Sequence, residues 1–334
     1  MEFVMDDVNS NPLSPCELMD QDLDDDETLL LLPDELIGCC LQNLEAEDLV
    51  RLELVSRRLR SVVSSDYSRW RELCMSRWKS NSPQVLELAA EFAGGWKRLY
   101  SEKHVSEKET APWLVPCISE VSAIVELIKG EGPPTPTGSP VSILLDAMGT
   151  SHFTNVLSVV ILVDGSSSVT EDDFSAMRQF GKTLMGSLRS TYPGSHAALV
   201  QFNQYPRVES PLSPIASGES IAALDKMEQI MGSTDIAAPI RLARELLTSS
   251  NAPGGDKVIL LLTDGQTHNE ELAMTEREAR GAAEECGARV FTFGVGRDVD
   301  EAGLERVAAG SRRFVEGKRK NFGGCYFTLR RLKK

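Results

Sequence analysis

The sequence predicts a two-domain α + α/β protein: a set of short helices, then a doubly wound, mostly parallel sheet with helices on its faces. Three observations predict it. A proline-rich stretch, "KGEGPPTPTGSP" from Lys129 to Pro140, resists both helix and central strand and divides the chain. Before it, apolar residues recur at helical spacing. After it, short apolar runs alternate with amphipathic stretches, the pattern of strand–helix units built on a parallel sheet. The expected layout is an acidic tail over 1–28, a helical domain over 29–110, a helix and linker over 111–154, and the α/β domain over 155–334. No repeat of roughly twenty to fifty residues points to a solenoid or propeller.

Residues 1–28 hold ten acids and no Lys or Arg, and they account for much of the net charge of −15. Such a segment is expected to be disordered and solvating. Residues 311–334 carry nine Lys or Arg against one Glu, yet no nucleic-acid reading motif, so a nucleic-acid partner is not expected. No run of about eighteen apolar residues suggests a membrane span. The opening "MEFVMDDVNSNP" has no basic n-region, so no secretory signal is expected. The seven cysteines (Cys16, Cys39, Cys40, Cys74, Cys117, Cys286 and Cys325) are odd in number and lack C-x-x-C spacing. That argues against a disulfide framework and a zinc site and for reduced, mostly buried thiols. The expected location is the cytoplasm, the nucleus or both.

In the helical half, Pro33 stands where a first turn tolerates proline, and Asp34 and Glu35 suit the positive end of the helix dipole. Leu36 and Cys40 share a face at i, i+4; Leu49 and Leu52 do so at i, i+3. Ser56 is placed to cap a third helix carrying Leu59, Val62 and Val63. Trp70, Leu73, Cys74 and Trp78 form a further stripe. Helices this short are marginal alone and need tertiary packing or a partner. Spacing by itself leaves open whether these residues make a core or a docking face.

The run "LPDELIGCCLQNLEAEDLVRLELVSRRLRSVVSSDYSRWRELC" resembles an F-box, the segment by which substrate receptors dock on the Skp adaptor of cullin-based ubiquitin ligases. The later "WKRLY", Trp96 to Tyr100, is similar to the segment that often closes this unit. Cys39 and Cys40 depart from the pattern, standing where larger aliphatics are usual. The resemblance implies an adaptor face drawn from Leu32, Pro33, Leu36, Leu44, Leu49, Val55 and Trp70, with some of these serving as core instead.

In the second half, "NVLSVVILVD", "HAALVQFN", "PRVESPL", "DKVILLLTDG" and "ARVFTFGVG" read as strands, and "EDDFSAMRQFGKTLMGSLRS" as the helix after the first. Ligands of doubly wound sheets sit at the carboxyl ends of strands. Asp164 and Asp264 fall there, so two acids can converge across the sheet top. Most chemistries that use a strand-end Asp fail on inspection. An aspartyl-nucleophile phosphatase wants an acid where Ser166 stands, and the hydrolase elbow needs Gly where Val169 stands. "FGKT" has Ala176 in place of the upstream Gly of a phosphate loop, and it falls within a helix. "GVGRDV" lacks the third Gly of a dinucleotide fingerprint. No base stands beside the serines, so no enzyme is expected.

Hydroxyls and carboxylates are hard oxygen donors suited to Mg²⁺ or Mn²⁺, and the alternate residues Asp164, Ser166 and Ser168 can aim at one centre. A strand-end Asp with nearby serines also caps a following helix with no metal present, and the residues alone leave both readings open. Asp164-x-Ser166-x-Ser168, with Thr234 in "GSTD" and Asp264 in "LLTDG", resembles the metal-ion-dependent adhesion motif of the von Willebrand factor A (VWA) family. The resemblance implies a Rossmann-like sheet over about 180 residues. It also implies a metal touched by Ser166, Ser168 and Thr234, with Asp164 and Asp264 often acting through water. Taken together, the two resemblances imply the substrate-recognition subunit of a Skp–cullin–F-box (SCF) ubiquitin ligase. Such a subunit reaches a cullin through the adaptor and captures a protein bearing an acidic residue through Mg²⁺ or Mn²⁺. The alternative is an interaction scaffold with no role in ubiquitination.

Overall fold

The computed structural model describes residues 31–78, 82–110, 113–129, 156–249, 255–266, 269–296 and 299–310, with the strand backbones 314–315, 318–319 and 326–331. The acidic tail, the proline-rich stretch after Lys129 and most of the basic end lie outside the described residues, as do Cys16 and Cys325. The chain divides into two compact units, Met1–Arg69 and Trp70–Lys334.

The first unit holds α1 (Asp34–Leu41), α2 (Ala46–Val55) and α3 (Arg57–Ser65). Helix α1 starts directly after Pro33 with Asp34 and Glu35 in its first turn. Ile37, Leu41, Leu49, Leu59, Val62 and Val63 are buried. The guanidinium of Arg58 donates to Asp34 Oδ1 at 2.7 and 2.9 Å and to the Leu32 carbonyl, tying α3 to the start of α1. Ser56 Oγ accepts from the Leu59 N–H at 3.1 Å and satisfies one of the donors a helix start leaves open. Ser56→Ala should therefore lower the stability of this unit by about 1 kcal/mol, read as a shifted urea midpoint with an unchanged slope.

In the second unit, the helices α4 (Tyr67–Arg77, whose first residues belong to the first unit), α5 (Pro83–Ala93), α6 (Trp96–Thr110) and α7 (Ile118–Lys129) precede the sheet. Trp70 and Trp78 pack on Tyr100, with ring centroids 5.5 and 5.0 Å away. Below them Lys103 Nζ meets Glu120 Oε1 at 2.5 Å with both side chains buried, and joins α6 to α7. The seven-stranded sheet runs β1-β9-β6-β5-β2-β3-β4. Its strands are β1 (Trp113–Leu114), β2 (Leu157–Asp164), β3 (His196–Phe202), β4 (Pro206–Pro214), β5 (Asp256–Thr263), β6 (Arg289–Gly296) and β9 (Tyr326–Arg331). The five inner strands are parallel; β4 and β1 close the two edges antiparallel. Strands β7 (Phe314–Val315) and β8 (Lys318–Arg319) form a separate pair.

Every residue of β2 is buried, as a strand covered on both faces requires. On one face lie α10 (Ala237–Thr248), α11 (Asn269–Cys286) and α12 (Glu301–Gly310), packing Ile240, Ala279 and Val307 against Val160, Leu162, Ile259 and Leu261. On the other lie α8 (Glu171–Thr191), where Phe180 meets Phe293 at 5.1 Å, and α9 (Glu219–Lys226). Helix α7 joins α8: Tyr192, just past α8, donates to Glu126 at 2.9 Å, and Arg289 at the start of β6 donates to the carbonyls of Leu127 and Ile128. Residues 113–129 are thus part of the sheet domain's structure.

The thiols need one correction. Among the described residues Cys74 and Cys117 are buried, but Cys39 and Cys40 are exposed and Cys286 is intermediate, all of them free. The exposed pair shares the outward face of α1 with Leu36, as the i, i+4 spacing of Leu36 and Cys40 implies; the cysteine count does not say which way that face turns.

Candidate metal centre and docking face

Parallel register places Val163 of β2 beside Leu262 of β5, so Asp164 and Thr263 end neighbouring strands where the chain's direction of winding reverses. Asp164 is fully buried. Its Oδ2 accepts from Thr263 Oγ1 at 2.6 Å and its Oδ1 from the Ser166 N–H at 2.9 Å. The second bond folds the loop back sharply, and the close approach suits glycine: a Cβ on Gly165 would lie 2.7 Å from Gln201 Nε2. Ser166 Oγ and Ser168 Oγ come within 3.0 Å of each other, the first buried and the second exposed.

The following helix takes its cap from elsewhere. Thr170 Oγ1 accepts from the Asp173 N–H at 3.2 Å, and buried Val169 and Phe174 stand at the two positions of a hydrophobic staple. With Thr170 as the cap, Ser166 and Ser168 are not needed for it, and their convergence calls for another explanation.

Asp264 follows Thr263. Its Oδ1 accepts from the Gln266 N–H at 3.0 Å, while Oδ2 is buried without a hydrogen-bond partner. Burial pushes the Asp264 carboxyl above its ordinary range, and the charge of Asp173 adds to this; the Ser168 hydroxyl pulls the other way. Burial also raises Asp164, to about 6, against the pull of its bonds from Ser166 and Thr263. Thr234 is half-buried in a loop stitched to the first one: Met231 N–H to the Gly165 carbonyl, Ser167 N–H to the Gly232 carbonyl and Gly232 N–H to Ser167 Oγ, each 2.8 Å. Gln229 Nε2 adds bonds to the carbonyls of Ser166 and Val169. All five residues expected at the centre stand on these strand ends and joined loops, although no hydrogen bond of Thr234's side chain ties it to the others.

The residues fit a hard divalent cation. Two desolvated carboxylates favour a positive charge between them, one buried carboxylate oxygen has no partner, and two hydroxyls converge. Among the described residues no group of three or more His, Cys, Asp or Glu could hold a metal ion, so the donor set rests on hydroxyls. Three contributors were not singled out in the sequence. Thr263 reads there as one more strand residue. Asp173 reads as an acid at a helix start, yet its Oδ1 is buried and unpartnered. Gln229 carries no motif at all.

The residues expected at the adaptor face separate by exposure. Pro33, Leu36 and Val55 are exposed, and Leu32 and Leu44 are half-buried. Leu49 and Trp70 are 1% and 2% exposed and belong to the interior, as the stripes that carry them allow. Leu31, Val50, Leu54 and Tyr67 are exposed as well.

Two acids and paired serines thus stand at the switch point of a doubly wound sheet. The von Willebrand factor type A domain model matches residues 158–323, and the F-box domain model matches residues 29–71, so the chain carries both. The chain is 30% identical to Cuticlin-6 of Caenorhabditis elegans over 115 residues, 34% of this chain and 20% of that protein. It is 32% identical to integrin alpha-X of Mus musculus over 119 residues, 34% and 10%, and 26% identical to the collagen alpha-1(XXI) chain of Homo sapiens over 151 residues, 45% and 15%. It spans a fifth or less of the length of these relatives. Among solved structures it aligns with an aerotolerance-related membrane protein from Bacteroides fragilis at 19% identity and a TM-score of 0.41, covering 52% of this chain and 90% of that one. It aligns at 24% identity, TM-score 0.41, with proximal thread matrix protein 1 from the mussel byssus in a form with a zinc-occupied MIDAS motif, covering 52% and 43%.

Proposed function

We propose that this chain is a substrate-recognition subunit of an SCF-type ubiquitin ligase in the cytoplasm or nucleus. Its F-box docks a Skp-family adaptor, and through it a cullin. Its VWA domain captures a protein through an acidic side chain. The observation that carries the docking half is the surface of the F-box unit: Leu31, Leu36, Val50, Leu54, Val55 and Tyr67 are all exposed in a stretch of short helices. Their concentration in one small helical unit supports a partner-binding role for it. Leu49, buried in the same unit, belongs to its interior.

In the VWA half, Ser166, Ser168 and Thr234 would hold a Mg²⁺ or Mn²⁺ directly, with Asp164 and Asp264 behind them. When bound, the ion supplies an open coordination position for an incoming carboxylate. Two carboxylates and three neutral hydroxyls only just offset its charge, which leaves it receptive to a partner's acid. The chain's own residues orient and desolvate; they break no bond, and their contribution to ubiquitin transfer is proximity.

Leu36→Asp with Val55→Asp tests the docking half, because both side chains are exposed and their loss should leave the fold intact. Burying each apolar side chain contributes roughly 1.5–3 kcal/mol, so the double variant should lose Skp adaptor binding by about a hundredfold or more. A folded double variant that pulls down adaptor undiminished would remove the ligase role and leave an interaction scaffold. Chelator should abolish capture of substrate by the VWA half; capture that survives EDTA would remove the metal.

A further inference from the structure

We propose that Tyr205 and Met231 form a selective rim beside the carboxylate-binding centre, admitting acidic protein segments in which the captured Asp or Glu is flanked by a large apolar residue. The inference rests on the metal-bridged capture proposed above and names the chemistry of its partner.

Met231 is the observation that starts it. Among the described residues it is the one non-glycine with positive φ, 59°, a conformation that costs an ordinary side chain about 1–2 kcal/mol and costs glycine almost nothing. A methionine here carries strain, and its side chain is 50% exposed, so core packing does not account for it. Strain of this kind persists only where the surroundings impose it, and it gathers at functional sites. The imposing bonds are present. The Met231 N–H donates to the Gly165 carbonyl at 2.8 Å, and Asn203 Nδ2 donates to the Met231 carbonyl at 2.6 Å. Met231 is thereby pinned against the residue between Asp164 and Ser166.

The same Asn203 holds the second member. Its Oδ1 accepts from the Tyr205 N–H at 2.8 Å, so one side chain bonds the backbones of both residues. Tyr205 sits in the turn between β3 and β4 and is 74% exposed. Gln204 completes the brace, its Oε1 accepting from the Ser233 N–H at 3.0 Å, next to Thr234. The β3–β4 turn, the Met231 loop and the serine loop therefore form one rigid edge around the centre.

Scattered exposed apolar residues are ordinary; two of them fixed on the edge of a carboxylate site are not scattered. A metal-bridged acid alone would accept almost any acidic surface. Tyrosine is among the residues that dominate binding energy at interfaces, and methionine adapts to varied apolar shapes. Together they favour an apolar residue beside the captured acid.

Two synthetic peptides test this with the full chain, each with a single Glu, one flanked by Leu and Phe and the other by Ser, by fluorescence anisotropy in Mg²⁺ and in EDTA. The apolar-flanked peptide should bind in Mg²⁺ roughly tenfold or more tightly than the other. Tyr205→Ala should narrow that ratio, and so should Met231→Gly, which removes the side chain from a backbone that already suits glycine. The two substitutions together should erase it while weak Mg²⁺-dependent binding remains; melting temperatures confirm folding. Equal binding of both peptides in Mg²⁺ but not EDTA, or a ratio untouched by the double variant, overturns the rim alone. No binding of either peptide in Mg²⁺ overturns the rim and metal-bridged capture together.

Discussion

Lys103→Met is expected to lower the stability of the unit Trp70–Lys334 by roughly 3–5 kcal/mol. Lys103 Nζ lies 2.5 Å from Glu120 Oε1, and the two side chains are 7% and 1% exposed. Glu120 Oε2 accepts from the Cys117 N–H at 3.0 Å, which fixes the carboxylate at the entry to α7, and Lys103 also lies over the Trp78 ring, 4.8 Å from its centroid. Methionine keeps the apolar stem of the lysine and removes the charge. Glu120 keeps its bond from the Cys117 N–H but loses the Lys103 charge in the interior, which costs far more than the pair contributes over a neutral replacement. The double variant Lys103→Met with Glu120→Leu should accordingly recover most of the loss. Urea unfolding of the three variants decides the matter; a single variant within about 0.5 kcal/mol of wild type would show that the pair is screened by water. Beside the pair, burial pushes the Cys74 thiol up to about 12 and raises the Cys117 thiol as well, which disfavours the thiolate form of both.

That buried pair shows where reading the sequence stops. Ser56 as a helix cap, the stripe Leu59, Val62 and Val63, and the strand ends at Asp164 and Asp264 were legible because each signal is local: a residue type at a fixed offset from a turn. Leu49 and Val55 were not separable. Both lie on one short helix, and whether an apolar residue faces core or solvent depends on what packs there, which spacing does not encode. A helix is expected between residues 111 and 154 and α7 lies there, but nothing local in 113–129 signals its attachment to the sheet domain. β1 is two residues long and pairs with β9, more than two hundred positions away, while α7 is held by Arg289 from the far end of the domain. At the centre, the hydroxyls of Ser166 and Ser168 could be named in advance. Four hydroxyl residues precede the helix within five positions, however, and only the bond from the Asp173 N–H singles out Thr170 as its cap. Thr263 and Asp173 act through burial, which a strand or helix pattern does not reveal.

Asp164→Asn is expected to abolish the response of the VWA domain to Mg²⁺ while making the metal-free domain more stable at neutral pH. Burial raises the Asp164 carboxyl from its ordinary 3.8 to about 6 in the metal-free chain. The folded chain therefore holds that proton more tightly than the unfolded chain. The stability this group contributes is complete below pH 4 and is lost as pH rises through 6, an upper bound of about 3 kcal/mol between those limits. Asparagine is neutral at every pH and has the same shape. Its Oδ1 can accept from the Ser166 N–H as before, and its amide can donate to Thr263 Oγ1, which keeps the loop closed. Thermal melting should show a higher melting temperature for Asp164→Asn than for wild type in EDTA at pH 7, and the two should converge toward pH 4. Added Mg²⁺ stabilises wild type as mass action requires, by about 2.7 kcal/mol at a hundred times its dissociation constant. The variant should gain nothing, because the ion would lose half of the negative charge set against it. An Asp164→Asn protein that rises with Mg²⁺ as wild type does would mean that the ion binds elsewhere, and that the serines converge for a reason other than coordination.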